Sequence, residues 1–88
     1  MRLEYDPHGD IAYVHVGPVA DATVHHTERV GDDAEYRRGI DYDASGSIVG
    51  YEFMNASAGL DLNGLPHRDE IEAFIRRVAE LRILSRAS

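Results

Sequence analysis

The first two thirds of the chain alternate apolar and polar residues with the two-residue period of a β-strand. These segments end at Gly, Pro, Asp or Asn residues, which favour turns. They predict five strands, at residues 2–5, 11–16, 23–30, 39–43 and 47–55. The second strand divides into two faces, with Ala12, Val14 and Val16 on one and Ile11, Tyr13 and His15 on the other.

The apolar period changes after Pro66. Apolar residues then recur at helical spacing, at Ile71, Phe74, Ile75, Val78 and Leu81. This stripe predicts an amphipathic helix over residues 66–86, preceded by a connector at residues 58–65. We expect a single domain over residues 1–88, with its sheet in residues 1–57. The predicted fold class is α+β: an antiparallel β-meander of four to five short strands, with one C-terminal helix packed on one face.

One helix covers only one face of such a sheet. We expect Tyr13, His15, Ile48 and Met54 to lie on the other face. Aromatic and apolar side chains on an uncovered face are typical of an interaction surface, and a second copy of the chain is its simplest partner. The sequence therefore predicts a homodimer.

The charge distribution narrows the class of partner further. The formal net charge is −7, and residues 1–66 carry twelve acidic residues against four arginines. Nucleic-acid binding needs a cationic surface, so the acidic excess argues against nucleic acid and favours a basic protein or a cation. No apolar stretch approaches a membrane span and no signal peptide is visible, so we expect no membrane partner and a cytoplasmic location. The chain has no cysteine, which excludes disulfides and thiol chemistry.

Residues 41–52, DYDASGSIVGYE, match the calcium-loop pattern D-x-[DN]-x-[DNS]-G-x5-E. The candidate metal ligands are Asp41, Asp43 and Glu52. A calcium loop of this type lies between two helices, whereas the flanking residues here have strand composition. The same residues predict a β-hairpin in which Asp43 accepts turn N–H groups and Gly46 is left-handed. In that hairpin Tyr42 pairs with Ile48, Asp41 pairs with Val49, and Glu52 lies near Arg38.

Histidines and serines give the other candidate chemistry. A cluster of His15, His26 and Glu28 could hold a metal if the strand register brings them together. His25 and His26 are adjacent, so on a strand they point to opposite faces. The serines lie in no nucleophile elbow, and no phosphate-binding or dinucleotide-binding pattern is present. We therefore expect no enzyme activity and no cofactor.

Two blocks carry a family likeness, EYDPHGDIAYVHV and DYDASGSIVGYEFMNAS. Together they resemble the bacterial family of domain of unknown function 2283 over roughly residues 2–57. The matching positions are Asp6, Pro7 and Asp10 in the first block, and Asp41, Asp43, Gly46, Gly50 and Glu52 in the second. The chain departs from the family pattern at residues 37–40, where RRGI replaces a usually apolar run.

The resemblance implies a strand-rich fold followed by a helix, and it supplies no site residues. Family members are similar to small proteins encoded beside ribonuclease-like toxins, which implies an antitoxin-like or partner role. Our leading hypothesis is a non-catalytic protein-protein interaction module that binds a basic partner. The alternative is a cation-binding module that uses Asp41, Asp43 and Glu52, or the histidine cluster.

Overall fold

A computed structural model describes residues 1–17, 23–31 and 37–84 of the chain. Its main sheet contains five antiparallel strands, β1 (Arg2–Asp6), β2 (Ile11–His15), β3 (His26–Val30), β4 (Arg38–Tyr42) and β5 (Ile48–Met54). A short 3₁₀ turn at Ala56–Ala58, strand β6 (Leu60–Asp61), helix α1 (Arg68–Val78) and strand β7 (Ile83–Leu84) follow. The predicted α+β fold, an antiparallel sheet with a C-terminal helix, is confirmed.

The strand order is β1-β2-β5-β4-β3. It departs from a simple meander because β5 pairs with both β2 and β4. The most apolar strands, β2 and β5, therefore lie at the inside of the sheet, and the exposed strands β1 and β3 lie at its edges. The chain passes from β2 to the far edge through residues 16–25, of which residues 18–22 lie outside the described part.

The core lies between the sheet and helix α1. Helix residues Ile71, Phe74 and Ile75 are buried, and they belong to one cluster with apolar residues of the three inner strands, namely Ala12, Val14, Ile40, Tyr51 and Phe53. The Tyr51 hydroxyl also donates a hydrogen bond to the Pro66 carbonyl at 3.2 Å. The helix thus covers the face of Ala12 and Val14, as the alternation along β2 predicts. We call the opposite face of the sheet, which carries Tyr13 and His15, the outer face.

The helix is shorter than the predicted range of 66–86. It ends at Val78, where Ala79 is extended with φ −150° and ψ 160°. The chain then forms β7, which pairs in parallel with β6, and Leu81 and Ile83 reach the core from this extended segment. The apolar residues that continue the helical spacing beyond Val78 therefore lie in an extended segment and not in the helix. The last two residues of the predicted helix lie outside the described residues.

The hairpin between β4 and β5 has the predicted turn, with one change of register. Tyr42 pairs with Ile48 as expected, and Gly46 has φ 87°. Asp41 pairs with Gly50 instead of Val49, because a β-bulge inserts one extra residue between these two pairs. Ile48 packs against the core, so its predicted place on the uncovered face was wrong.

Candidate functional site

Cross-strand pairing places the side chains of the outer face in two main rows. One row runs across the five strands as Glu4, Tyr13, Glu52, Gly39 and Arg29. The next row runs as Arg2, His15, Gly50, Asp41 and Thr27. Asp6, Ile11 and Met54 form a shorter third row. In the described part of the chain, no second layer packs on this face, which carries four carboxylates and, with Arg37 opposite Met54, three arginines.

Tyr13 is fixed in the middle of the outer face by Asp41. Its hydroxyl donates a hydrogen bond to Asp41 Oδ2 at 2.6 Å, and Thr27 Oγ1 donates to Asp41 Oδ1 at 2.5 Å. Burial, and then the hydrogen bond to the Asp41 carboxylate, raise the pKa of the Tyr13 phenol far above its ordinary value of 10.0. The phenol is therefore protonated at neutral pH and acts as a hydrogen-bond donor.

Gly50 makes room for the Tyr13 ring. A Cβ at Gly50 would lie 2.4 to 2.6 Å from two ring carbons and the hydroxyl oxygen of Tyr13, closer than any van der Waals contact allows. The family match at Gly50 thus has a physical reason, because only glycine lets the ring cross the neighbouring strand and reach Asp41. The His15 ring packs beside Tyr13 with 4.6 Å between ring centroids.

His15 and Arg2 share the carboxylate of Glu4. His15 Nε2 lies 2.7 Å and Arg2 Nη2 lies 3.0 Å from Glu4 Oε1. Both groups come from the second row, so they occupy one side of Glu4. This carboxylate is consequently engaged within the chain.

A shallow cavity of about 190 Å³ lies beside Tyr13, and we call it the Tyr13 depression. It is lined by Glu4, Tyr5, Asp6, Ile11, Tyr13 and Glu52. Glu52 is half-buried, and no hydrogen bond or ion pair joins its carboxylate to another described residue. Tyr13 and Glu52 are direct cross-strand partners, and both line the depression.

The candidate calcium ligands do not converge. Asp43 Oδ1 accepts hydrogen bonds from Ser45 N at 2.9 Å, Ser45 Oγ at 2.6 Å and Ser47 N at 3.0 Å. These bonds, the Ser45 side chain first, hold the pKa of Asp43 below its ordinary value. Asp41 is bound to Tyr13 and Thr27, while Glu52 lies in the Tyr13 depression. Within the described ranges no three acidic or histidine side chains are grouped to hold a metal ion.

The histidine cluster does not form either. His15 lies on the outer face beside Glu4. His26 lies on the opposite face, because its neighbour Thr27 bonds to Asp41 on the outer face. The His26 ring stacks on Tyr42 with centroids 4.9 Å apart, and its Nε2 lies 3.8 Å from Glu28 Oε1. Of the proposed three residues, the structure brings together only His26 and Glu28.

Several family-matching residues support the fold itself. Asp10 has φ 54°, and its carboxylate accepts hydrogen bonds from Tyr5 Oη at 2.7 Å, Ser57 N at 2.9 Å and Ser57 Oγ at 2.6 Å. These bonds, led by the Ser57 hydroxyl, lower the pKa of Asp10. Asp10 thereby ties the β1–β2 hairpin to the turn after β5. The spacing of the two sequence blocks gives no sign that Asp10 and Ser57 meet.

Arg38 does not pair with Glu52 as predicted. It stands opposite Phe53 on the core side, where it is 7% exposed, while Glu52 stands opposite Gly39 on the outer face. Arg38 Nη1 donates to the carbonyls of Asp61, at 3.1 Å, and of Asn63. Its Nη2 lies 3.8 Å from Asp61 Oδ2. The arginine that interrupts the expected apolar run therefore joins the sheet to the connector before α1.

A family model described as "Protein of unknown function (DUF2283)" matches residues 2–57 of the chain. This is more than half of its length, so the chain belongs to that family, as the two sequence blocks indicated. Neither the curated proteins nor the solved structures gave a match. Among the described residues, no helix has the length and apolarity needed to cross a membrane.

Proposed function

We propose that this DUF2283 protein is a non-catalytic protein-protein interaction module that binds a basic partner protein on the outer face of its sheet. The observation that supports this most directly is the state of Glu52. Its half-buried carboxylate lies beside an aromatic ring on an open sheet face, without an ion-pair partner among the described residues. A cation supplied by a partner would neutralise the Glu52 carboxylate. Their electrostatic attraction would be stronger than at a fully exposed site, because the carboxylate is partly shielded from solvent.

The charge of the whole face supports the same partner class. Its four carboxylates, Glu4, Asp6, Asp41 and Glu52, outnumber its three guanidinium groups, Arg2, Arg29 and Arg37. Opposite charges across an interface steer association and exclude wrong partners. A second copy of the chain would place this acidic excess against itself, so we do not assign a homodimer contact to the outer face. The homodimer that the sequence predicts through the uncovered face stays a prediction.

The dimensions of the face predict the strength of binding. Five strands about 4.8 Å apart and five residues long give a face of about 20 Å by 17 Å. A standard interface buries about 800 Å² on each partner, and the projected area of this face, about 340 Å², is less than half of that. We therefore expect a complex that depends strongly on charge and weakens steeply with salt. Neither cation-ligand set assembles among the described residues, so cation binding is not our proposal.

The test is a comparison of two charge-reversal variants in a low-salt pull-down from the host lysate. The first, Glu4→Lys with Glu52→Lys, changes the outer face. The second, Glu70→Lys with Glu80→Lys, makes the same change in net charge at exposed residues in or just after α1. A basic protein retained by the wild type and the helix variant, lost by the outer-face variant and released by salt, is the expected result. Equal retention by both variants would refute the assignment.

Two further expectations remain predictions. The cytoplasmic location follows from the sequence pattern alone. The idea that the partner is a toxin-like nuclease follows from the family resemblance alone. The pull-down addresses the second directly, because the retained protein is identified by mass spectrometry.

A further inference from the structure

We propose that the Tyr13 depression binds the side chain of an arginine supplied by the basic partner protein. This inference rests on the proposed function and adds the residue type that anchors the partner. Three features of the outer face support it: a cavity of suitable size, an aromatic ring held in place, and a carboxylate without an ion-pair partner among the described residues.

The other carboxylates near the depression already have partners within the chain. Glu4 contacts His15 and Arg2, and Asp6 Oδ1 accepts a hydrogen bond from the backbone N–H of His8 at 2.9 Å. Asp41 receives Tyr13 and Thr27. Glu52 is therefore the carboxylate lining the depression of which neither oxygen is bound to another described residue.

The walls of the depression suit the two parts of an arginine side chain. Ile11 and the Tyr13 ring offer apolar surface to the three-carbon stem. The Tyr13 ring can stack on the planar guanidinium, and the Glu52 carboxylate can accept two parallel N–H groups from it. Lysine has a compact ammonium group that forms neither the stacked nor the two-bond arrangement, so the site should prefer arginine.

The Tyr13 ring is held before any partner arrives. Its hydroxyl is bound to Asp41, and Gly50 gives the ring its place across the neighbouring strand. A ring that is already fixed loses little conformational freedom on binding, which favours affinity. Neighbouring strands are about 4.8 Å apart, so the Glu4 and Glu52 backbones stand about 10 Å apart with Tyr13 between them. A guanidinium bound to Glu52 on the far side of Tyr13 therefore leaves the contacts of Glu4 with His15 and Arg2 in place.

The experiment is a heteronuclear NMR titration of the full chain at low salt with three short peptides. Each peptide alternates glycine with a second residue, which is arginine, lysine or citrulline. Citrulline has nearly the shape of arginine without its charge. We expect the arginine peptide to shift the amide signals of Ile11, Tyr13 and Glu52, the lysine peptide to bind several-fold more weakly, and the citrulline peptide to give no shift.

Two variants locate the carboxylate responsible. Glu52→Gln removes its charge with little change of shape, and Glu80→Gln makes the same change at an exposed residue outside the face. We expect Glu52→Gln to weaken the arginine peptide about tenfold, the effect of losing one charge-assisted hydrogen bond, and Glu80→Gln to leave it unchanged. The spectra of the free variants report directly whether each one folds.

The outcomes separate this inference from the proposed function. Equal binding of the lysine and arginine peptides, or an affinity for the arginine peptide that Glu52→Gln leaves unchanged, would overturn the arginine site and leave a general acidic interaction surface. Basic peptides that shift no outer-face signal would overturn both. Arginine-selective binding that is weakened in Glu52→Gln and not in Glu80→Gln would establish the site.

Discussion

Replacing Arg38 with methionine tests whether this buried arginine holds the connector to the sheet. The Arg38 side chain is 6% exposed and the Asp61 side chain 1%. Methionine keeps much of the apolar stem but leaves the Asp61 and Asn63 carbonyls without the guanidinium donor. It also removes the cation beside the buried Asp61 carboxylate.

The magnitude follows from the burial of the pair. Removing one partner of a buried ion pair typically costs about 3–5 kcal/mol, because the other charge stays buried. A domain of 88 residues has a free energy of unfolding of about 4–13 kcal/mol. Arg38→Met should therefore remove a large fraction of the stability, and should lower the urea midpoint by about 2 M if the m-value is typical.

The assay is urea unfolding followed by circular dichroism, with Arg76→Met as the matched control. Arg76 is exposed and pairs with Glu72 one helical turn away at 3.4 Å, so its replacement should cost only about 0.2–0.5 kcal/mol. If Arg38→Met stays within about 1 kcal/mol of the wild type, the role assigned to Arg38 is wrong.

Three further predictions concern the outer face and the β4–β5 turn. Gly50→Ala should displace the Tyr13 ring from Asp41, lower the pKa of the Tyr13 phenol and cost about 1–3 kcal/mol by overpacking; an unchanged ultraviolet titration of the phenols would contradict this. Because the pKa of Tyr13 is raised in the folded protein, the unfolded chain loses the phenol proton at lower pH than the folded chain does. The free energy of unfolding should therefore fall above about pH 10, and it should fall less in Tyr13→Phe, which lacks this proton. Identical pH profiles for Tyr13→Phe and the wild type would count against the Tyr13–Asp41 bond. Millimolar calcium or a chelator should leave the melting temperature unchanged, because Asp43 is saturated within its turn, whereas a calcium-dependent rise would show a bound ion.

The sequence predicted local features well where short-range chemistry decides them. The turn at Asp43 to Ser47 formed as expected, because the Asp side chain and a left-handed glycine determine such a hairpin locally. The two faces of β2 also agree with the alternation, because one face must meet the helix. The sequence pattern of each of these features is local, so residues close together in the chain are enough to predict it.

Features that depend on distant contacts were not predictable in the same way. No local pattern shows that β5 enters the sheet beside β2, or that the segment after Val78 extends to pair with β6. The β-bulge at Asp41 shifts the register by one residue, so Asp41 pairs with Gly50 and not with Val49 as predicted. Arg38 was predicted to lie near Glu52, yet a carbonyl partner 23 residues later in the chain allows its side chain to be buried on the core side.

The candidate site shows the same division. The sequence correctly assigned Tyr13 and His15 to the uncovered face. It did not indicate that Tyr13 bonds to Asp41, because that contact joins residues 28 apart across two strand pairings. Asp41 and Glu52 were singled out as calcium ligands by their spacing, and both do lie on one face. Their surroundings assign Asp41 to fixing Tyr13 and leave Glu52 for a partner.

The most direct test of the account is the affinity of the captured basic partner for three purified proteins, measured by calorimetry at low and high salt. They are the wild type, Glu4→Lys with Glu52→Lys, and Glu70→Lys with Glu80→Lys. We predict that the outer-face variant loses at least about a hundredfold in affinity at low salt, that is, about 2.7 kcal/mol, while the helix variant stays close to the wild type. Equal losses in both variants would show that net charge alone governs binding, and would contradict the assignment of the outer face.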